Sequence, residues 1–173
     1  MTNPLIHAAQ SDTELAAVRE LCWRYRAHLL THDGAMRVLT DTFYPEHDYA
    51  SLLTRIDEEH APPDGALLLA SSGTQFLGCG MYRRFDATSC EIKRVYVDDA
   101  ARGMGLGRAL MQALLDQARV AGYTTARLDT MKSLLGARAL YNTLGFRETG
   151  PYYDVPDVAR GHLCYFEYDL TLD

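Results

Sequence analysis

Positive charge of the kind a nucleic-acid partner requires is missing from this chain. Seventeen Lys and Arg stand against 23 Asp and Glu, a formal net charge of -6, whereas displacing phosphate counterions needs an electropositive surface. Long apolar runs are missing too. No stretch approaches the ~20 residues of a membrane-spanning helix, and the opening residues 1–10 have neither the basic nor the apolar region of a secretory leader. The four cysteines, Cys22, Cys79, Cys90 and Cys164, lack the paired spacing of a zinc knuckle or a disulfide framework. They read as small core residues in a reducing compartment, which points to the cytoplasm. The six histidines do not cluster at ligand spacing, so no metal is expected. Internal repeats and low-complexity segments are absent as well.

What is present suffices for one globular domain over residues 1–173. The chain is long enough to bury a core, and its hydrophobic fraction of 47% is ordinary. Ser11 and Glu14 form a capping-box pattern, and Leu15, Val18, Leu21, Cys22 and Tyr25 follow at helical spacing, predicting a helix that ends near Leu30. Residues 31–64, with Pro45, Pro62 and Pro63, read as loops around one further helix over about 49–59, a variable cover on the substrate side. Apolar and β-branched runs over 66–70, 76–85 and 90–97 predict an antiparallel meander. A strand over 124–128, a helix over 134–144 stopped by Gly145, and a last strand over 163–170 complete a mixed α/β order.

Between these elements lies the run Arg102-Gly103-Met104-Gly105-Leu106-Gly107-Arg108. A strand ends at Val97, and after Gly105 the pattern becomes an amphipathic helix, with Leu106, Leu110, Ala113, Leu114 and Ala118 on one face. Glycine lets a ligand approach the backbone closely. The first N–H groups of a helix have no intrahelical partner and carry the positive end of its dipole. This is an anion site suited to a pyrophosphate, with Arg102 and Arg108 adding charge. The glycines could instead serve only a tight connection. A Walker loop is excluded, because no Lys-Ser or Lys-Thr follows. A dinucleotide fingerprint fits poorly: counted from Gly103, its third glycine position is Arg108, although Asp129 stands at a plausible distance downstream.

Arg102-x-x-Gly105-x-Gly107 after a strand resembles the pyrophosphate signature of the GNAT acyltransferase superfamily. Ala137-x-x-Leu140-Tyr141-x-x-x-Gly145-Phe146 resembles its next motif at the expected separation. The resemblance covers about 66–170. It implies a central, mostly antiparallel sheet, splayed where strand 91–97 stops pairing with 124–128 and flanked by about four helices. It also implies that residues 89–150 bind acyl-CoA. Backbone groups of Tyr96 and Val97 would hold the pantetheine and thioester of acetyl-CoA, and residues 102–108 its pyrophosphate. Leu134 stands where the family often has Asn, and the adjacent Ser133 is the substitute. A homodimer is common among proteins of this resemblance.

Amide formation from a thioester needs a neutral amine and a proton for the departing thiolate. A lysine-like amine, of pKa ~10.4, is only about one part in a thousand neutral at pH 7. Glu91 is the candidate base: strict alternation places it on the face of Lys93, Val95 and Val97, and it resembles the basic Glu of histone-type members. It lies about 20 Å along an extended strand from Val97, however, and could simply be paired with Lys93 or Arg84. Asp129 is the reserve base. Tyr141 is the candidate acid, since a phenol can donate to a thiolate, although Leu134, Ala137 and Leu144 share its helical face and would also suit a core tyrosine. A non-catalytic acyl-CoA sensor and a dehydrogenase-type nucleotide domain are the other function classes. The acceptor, a primary amine of a small molecule or peptide, is left open. Arg83, Arg84, Lys93 and Arg94 would suit a substrate carboxylate, whereas the acids near 41, 48, 58 and 59 would suit a polyamine or basic peptide.

Overall fold

The computed structural model describes residues 4–172. The end residues 1–3 and 173, which the expected domain and the expected lack of a leader include, lie outside the described residues. Seven strands form one sheet: β1 (Leu5–Ala8), β2 (Ala66–Ser72), β3 (Gln75–Arg84), β4 (Ser89–Val97), β5 (Thr125–Met131), β6 (Arg147–Thr149) and β7 (Leu163–Asp169), in the spatial order β1-β2-β3-β4-β5-β7-β6. Every pairing is antiparallel except β4 with β5. That parallel ladder joins only Ser89, Cys90 and Glu91 to Thr125, Ala126 and Arg127. Beyond it the two strands part, so the expected mixed, mostly antiparallel, splayed sheet is present.

Six helices flank the sheet among the described residues, two more than expected: α1 (Asp12–Leu30), α2 (Gly34–Phe43), α3 (Glu46–Thr54), α4 (Ile56–Glu59), α5 (Leu106–Val120) and α6 (Leu135–Leu144). α1 starts as its capping box predicts: Glu14 N–H donates to Ser11 Oγ at 3.3 Å, and the Glu14 carboxylate accepts from Ser11 N at 2.9 Å. The surplus lies in 31–64, where three helices replace the single one over 49–59. Asp33 begins α2 by accepting from Met36 N at 3.0 Å. Asp33-Gly34, within the stretch that reads as loops, is therefore a helix start, because Asp is a strong N-cap. Arg55 breaks helical geometry (φ -118°, ψ 20°) and separates α3 from α4.

The two sheet faces carry separate cores. On one, α5 sets Leu110, Leu114 and Ala118 against Leu68, Tyr82, Ile92 and Leu128, and Tyr141 of α6 joins them. On the other, Val18, Leu21 and Cys22 of α1, with Tyr49 and Leu53 of α3, cover Leu69, Cys79, Met81 and Tyr96. The four cysteines are buried and unpaired, as expected of core residues.

One irregularity determines the layout of the site. β3 pairs with β4 as Cys79 with Tyr96 but as Met81 with Lys93, so one residue, Gly80, spans two on β4. Arg94 absorbs the bulge in the left-handed region, at φ 51°. A bulge shifts all later side chains by one position and so swaps their faces. Val95 and Val97 pack towards α5, whereas Tyr96 packs with Met81 beneath α1. The expectation that Glu91 and Val97 share a face is therefore overturned. Strict alternation fails at Arg94.

Candidate functional site

The anion cradle is built in three steps. After Val97, Asp98 caps a short turn by accepting from Ala100 N at 3.0 Å, and Arg24 of α1 fixes it through a 2.8 Å bond to its other oxygen. Gly103 and Gly105 then adopt φ 79° and 76°, conformations costly for residues with a Cβ. α5 begins immediately afterwards with no side-chain cap. Its first backbone bond runs from Ala109 N to Gly105 O, at 3.1 Å. Within the described residues, the N–H groups from Gly103 to Arg108 find no acceptor. Unpaired donors at a helix start, reached across glycines, are the donor set a pyrophosphate requires.

These residues line a groove of about 880 Å³ that runs to the splay. Of the expected cofactor contacts, Tyr96, Val97, Arg102, Gly103, Gly105, Leu106, Gly107, Arg108 and Ser133 all line it, and Met104 alone does not. Met104 is exposed, because the two left-handed glycines around it turn its side chain outward. Arg108 donates to Thr143 Oγ1 at 2.8 Å, and Arg102 pairs with Asp99 at 2.6 Å. Sequence reading missed the opposite wall, formed by Tyr25 and His28 of α1 and by His32 just beyond its end. The spacing of three between Tyr25 and His28 along one helical face was the available signal. His28 lies 3.3 Å from the Arg102 guanidinium. Partial burial, and then the charges of Arg102 and His32, push its pKa down.

On the α1–α2 side of the sheet lies a second cavity of about 390 Å³. Tyr25, Phe43, Tyr44 and Leu52 give it apolar walls; Glu91, Lys93, Arg94 and Asp129 give it charge. A throat of about 30 Å³ shares Tyr25, Val95, Thr130 and Tyr141 with the groove, and shares Tyr25, Tyr44, Lys93, Arg94, Asp129 and Thr130 with this cavity. The throat lies where β4 and β5 have separated, and Tyr25 and Thr130 line groove, throat and cavity alike.

Of the candidate catalytic groups, Tyr141 and Asp129 line that throat and Glu91 lines the cavity. Tyr141 is buried among Phe146 and Phe166, with ring centroids 5.8 and 5.6 Å away, yet it lines both groove and throat. It is thus a core residue with access to the site. Burial, reinforced by Asp129, raises its pKa above the usual phenol value, so it stays protonated at neutral pH. Asp129 lies within β5, which runs to Met131, three residues beyond the expected end. It accepts from the Tyr153 hydroxyl at 3.0 Å. Burial raises its pKa and nearby Glu91 adds to the rise, against opposing effects from Lys93 and Tyr153. Glu91 is buried rather than exposed, and Arg83, not Arg84, is its arginine partner. It receives Lys93 at 3.1 Å, Arg83 at 3.5 Å and the Tyr152 hydroxyl at 3.2 Å. Three donors occupy most of the roughly four acceptor positions of a carboxylate.

Residues 32–146 match the acetyltransferase (GNAT) family. An uncharacterized N-acetyltransferase of Schizosaccharomyces pombe is 33% identical over 130 residues, 69% of this chain and 79% of that one. Human N-acetyltransferase 8B is 44% identical over 54 residues, 31% of this chain and 24% of that one. Among solved structures, a GNAT-family acetyltransferase of Staphylococcus aureus aligns over 97% of this chain and 99% of its own, with a TM-score of 0.75 at 17% identity. YncA of Salmonella typhimurium, solved with its cofactor acetyl-CoA, aligns over 98% and 95%, with a TM-score of 0.63 at 22% identity. The chain belongs to the GNAT acetyltransferase family. It is an N-acetyltransferase.

Proposed function

We propose that this chain, as a single domain over 1–173, moves the acetyl group of acetyl-CoA onto a primary amine of a small molecule or peptide by direct attack on the thioester. The observation that carries this reading is the throat at the β4–β5 splay, with the glycine cradle at one end and an acidic, aromatic cavity at the other. Residues 89–150 hold the donor and residues 31–64 cover the acceptor. Acetyl-CoA supplies an activated acyl group. The N–H groups of Gly103–Arg108 hold its pyrophosphate, Arg102 and Arg108 add charge, and the free edges of Tyr96 and Val97 and the Ser133 side chain receive the pantetheine.

Asp129, rather than Glu91, accepts the proton of the incoming ammonium group. Asp129 lines the throat, and a raised carboxyl pKa makes a better base near neutral pH. Glu91 neutralises Lys93 and Arg83 on the cavity wall. The amine nitrogen then forms its bond to the carbonyl carbon, the carbon–sulfur bond breaks, Tyr141 gives its proton to the departing sulfur, and the second proton shed by the nitrogen as it becomes an amide returns to Tyr141, while Asp129 passes its own to solvent. In this reading Tyr141 keeps the expected role of acid, whereas the role of base expected of Glu91 passes to the reserve, Asp129. The buried, unpaired cysteines fit a reducing compartment, and we place the protein in the cytoplasm. No helix among the described residues is long and apolar enough to cross a membrane. The test is an acetylation screen over amines, amino acids and peptide N-termini, monitored by thiol release. Thiol release that depends on an amine supports the reading. Tight acetyl-CoA binding with no transfer to any of them would instead make the protein an acyl-CoA sensor.

A further inference from the structure

Among the described residues, Arg94 is the one cation lining the acceptor cavity that no carboxylate answers. Its neighbours there are compensated: Lys93 sits on Glu91 at 3.1 Å, and Arg83 lies between Glu91 and Glu59 at 3.5 and 3.8 Å. Arg94 is only 7% exposed, and no carboxylate lies within 4.0 Å of it among the described residues. Its guanidinium stands 5.8 Å from the Tyr44 ring and 5.7 Å from the Tyr49 ring. Its one polar side-chain contact is a long 3.9 Å approach to Met81 Sδ, and its Nε has no partner. A buried guanidinium normally has a counter-ion, because stacking on aromatic faces does not replace the lost hydration. The bulge that gives Arg94 its left-handed backbone also places it on the lining of both throat and cavity.

We propose that the acceptor carries a carboxylate beside its amine and that Arg94 binds that carboxylate, so that the substrate class is an α-amino acid or closely similar zwitterion with an apolar side chain. This deepens the acetyl-transfer reading and rests on it. The cavity supplies one complementary feature for each part of such a molecule. Arg94 meets the carboxylate, Asp129 at the throat meets the ammonium group, and Tyr25, Phe43 and Leu52 surround the side chain. A volume of about 390 Å³ suits one amino acid and is small for a folded protein segment. A polyamine would leave Arg94 facing a second positive charge.

The test compares phenylalanine, leucine and methionine with their carboxamides, which keep the amine and side chain and lose the negative charge. Binding to the protein loaded with coenzyme A is measured by calorimetry, and acetyl transfer is measured separately. Acids should bind and react better than amides by roughly ten- to hundredfold, the usual range for a charged hydrogen-bonded pair. Arg94→Gln should remove that preference through the KM of the acids while leaving the amides within a few-fold. If Arg94→Gln does not fold, the acid-to-amide ratio of the parent protein decides alone. Amides that bind as well as acids, or an Arg94→Gln protein that still prefers acids, would overturn the proposal. Acid-selective binding without acetyl transfer would uphold it and overturn the catalytic reading instead.

Discussion

Tyr141 and Asp129 come from opposite faces of one sheet and meet only because β4 and β5 separate after Glu91 and Arg127. Tyr141→Phe keeps the packing against Phe146 and Phe166 and removes only the hydroxyl. Turnover should fall roughly 10²-fold with little change in coenzyme A affinity, as steady-state rates and calorimetry would show. A fall of only a few-fold, with chemistry rate-limiting, would leave Tyr141 as a packing residue. The two carboxylates separate by pH profile. The limb on which rate rises with pH should persist in Glu91→Gln and vanish in Asp129→Asn. Stability should move the other way for Asp129. Its folded pKa is raised, so its ionised form costs stability above the unfolded pKa, and that cost disappears as pH falls. Asp129→Asn should therefore melt higher than the parent at pH 7 while being the slower enzyme, which a thermal scan beside the rate assay would reveal.

At the scale of elements, the cradle was legible and the bulge was not, for physical reasons. Glycine marks left-handed backbone, so Gly103, Gly105 and the helix beginning at Leu106 could be read directly. Arg94 carries the same kind of backbone with no residue type to announce it, and the face of everything after it could not be read. α2 stayed hidden because Asp33-Gly34 belongs to both turns and helix starts, and the start of α3 was read three residues late because Pro45 does too. The α1 wall of the groove was half visible: its helix was legible, but its role depends on packing across the sheet. The cradle is tested by two variants. Gly105→Val forces a β-branched residue into φ 76° and should cost about 1–3 kcal/mol of unliganded stability. Its melting shift with acetyl-CoA must be read against its own unliganded form. Gly107→Val avoids left-handed strain, but its Cβ lies 3.4 Å from Leu140 Cδ2 and the side chain extends into the groove. Both should lose most of the acetyl-CoA-induced shift. A parent-like shift in both would dismiss the pyrophosphate assignment.

At the scale of the whole molecule, one buried histidine sets an acid limit on stability. His60 donates through Nδ1 to the Tyr82 carbonyl at 3.0 Å and is 2% exposed. Burial pushes its pKa down to about 4. Its unfolded value is higher, near 6.5, so the unfolded chain takes up the proton first. The stability that neutral His60 allows is complete above that value and is lost as pH falls from about 6.5 towards about 4. His60→Asn, whose amide can replace the Nδ1 donor, should flatten the stability curve across that window in denaturant titrations. An unaltered slope would place the acid sensitivity elsewhere.

The proposed transfer joins a donor groove and an acceptor cavity that adjoin at the β4–β5 splay, where Tyr25 and Thr130 line both. Its most direct test is the acetyl balance of a reaction holding purified protein, acetyl-CoA and the amine panel. Mass spectrometry of the amines would be set against thiol release in the same sample, for the parent and for Asp129→Asn. The account expects one acetylated amine for each thiol released in the parent, and a marked loss of both together in Asp129→Asn at neutral pH. Thiol release without an acetylated amine, or equal transfer by both proteins, would contradict it.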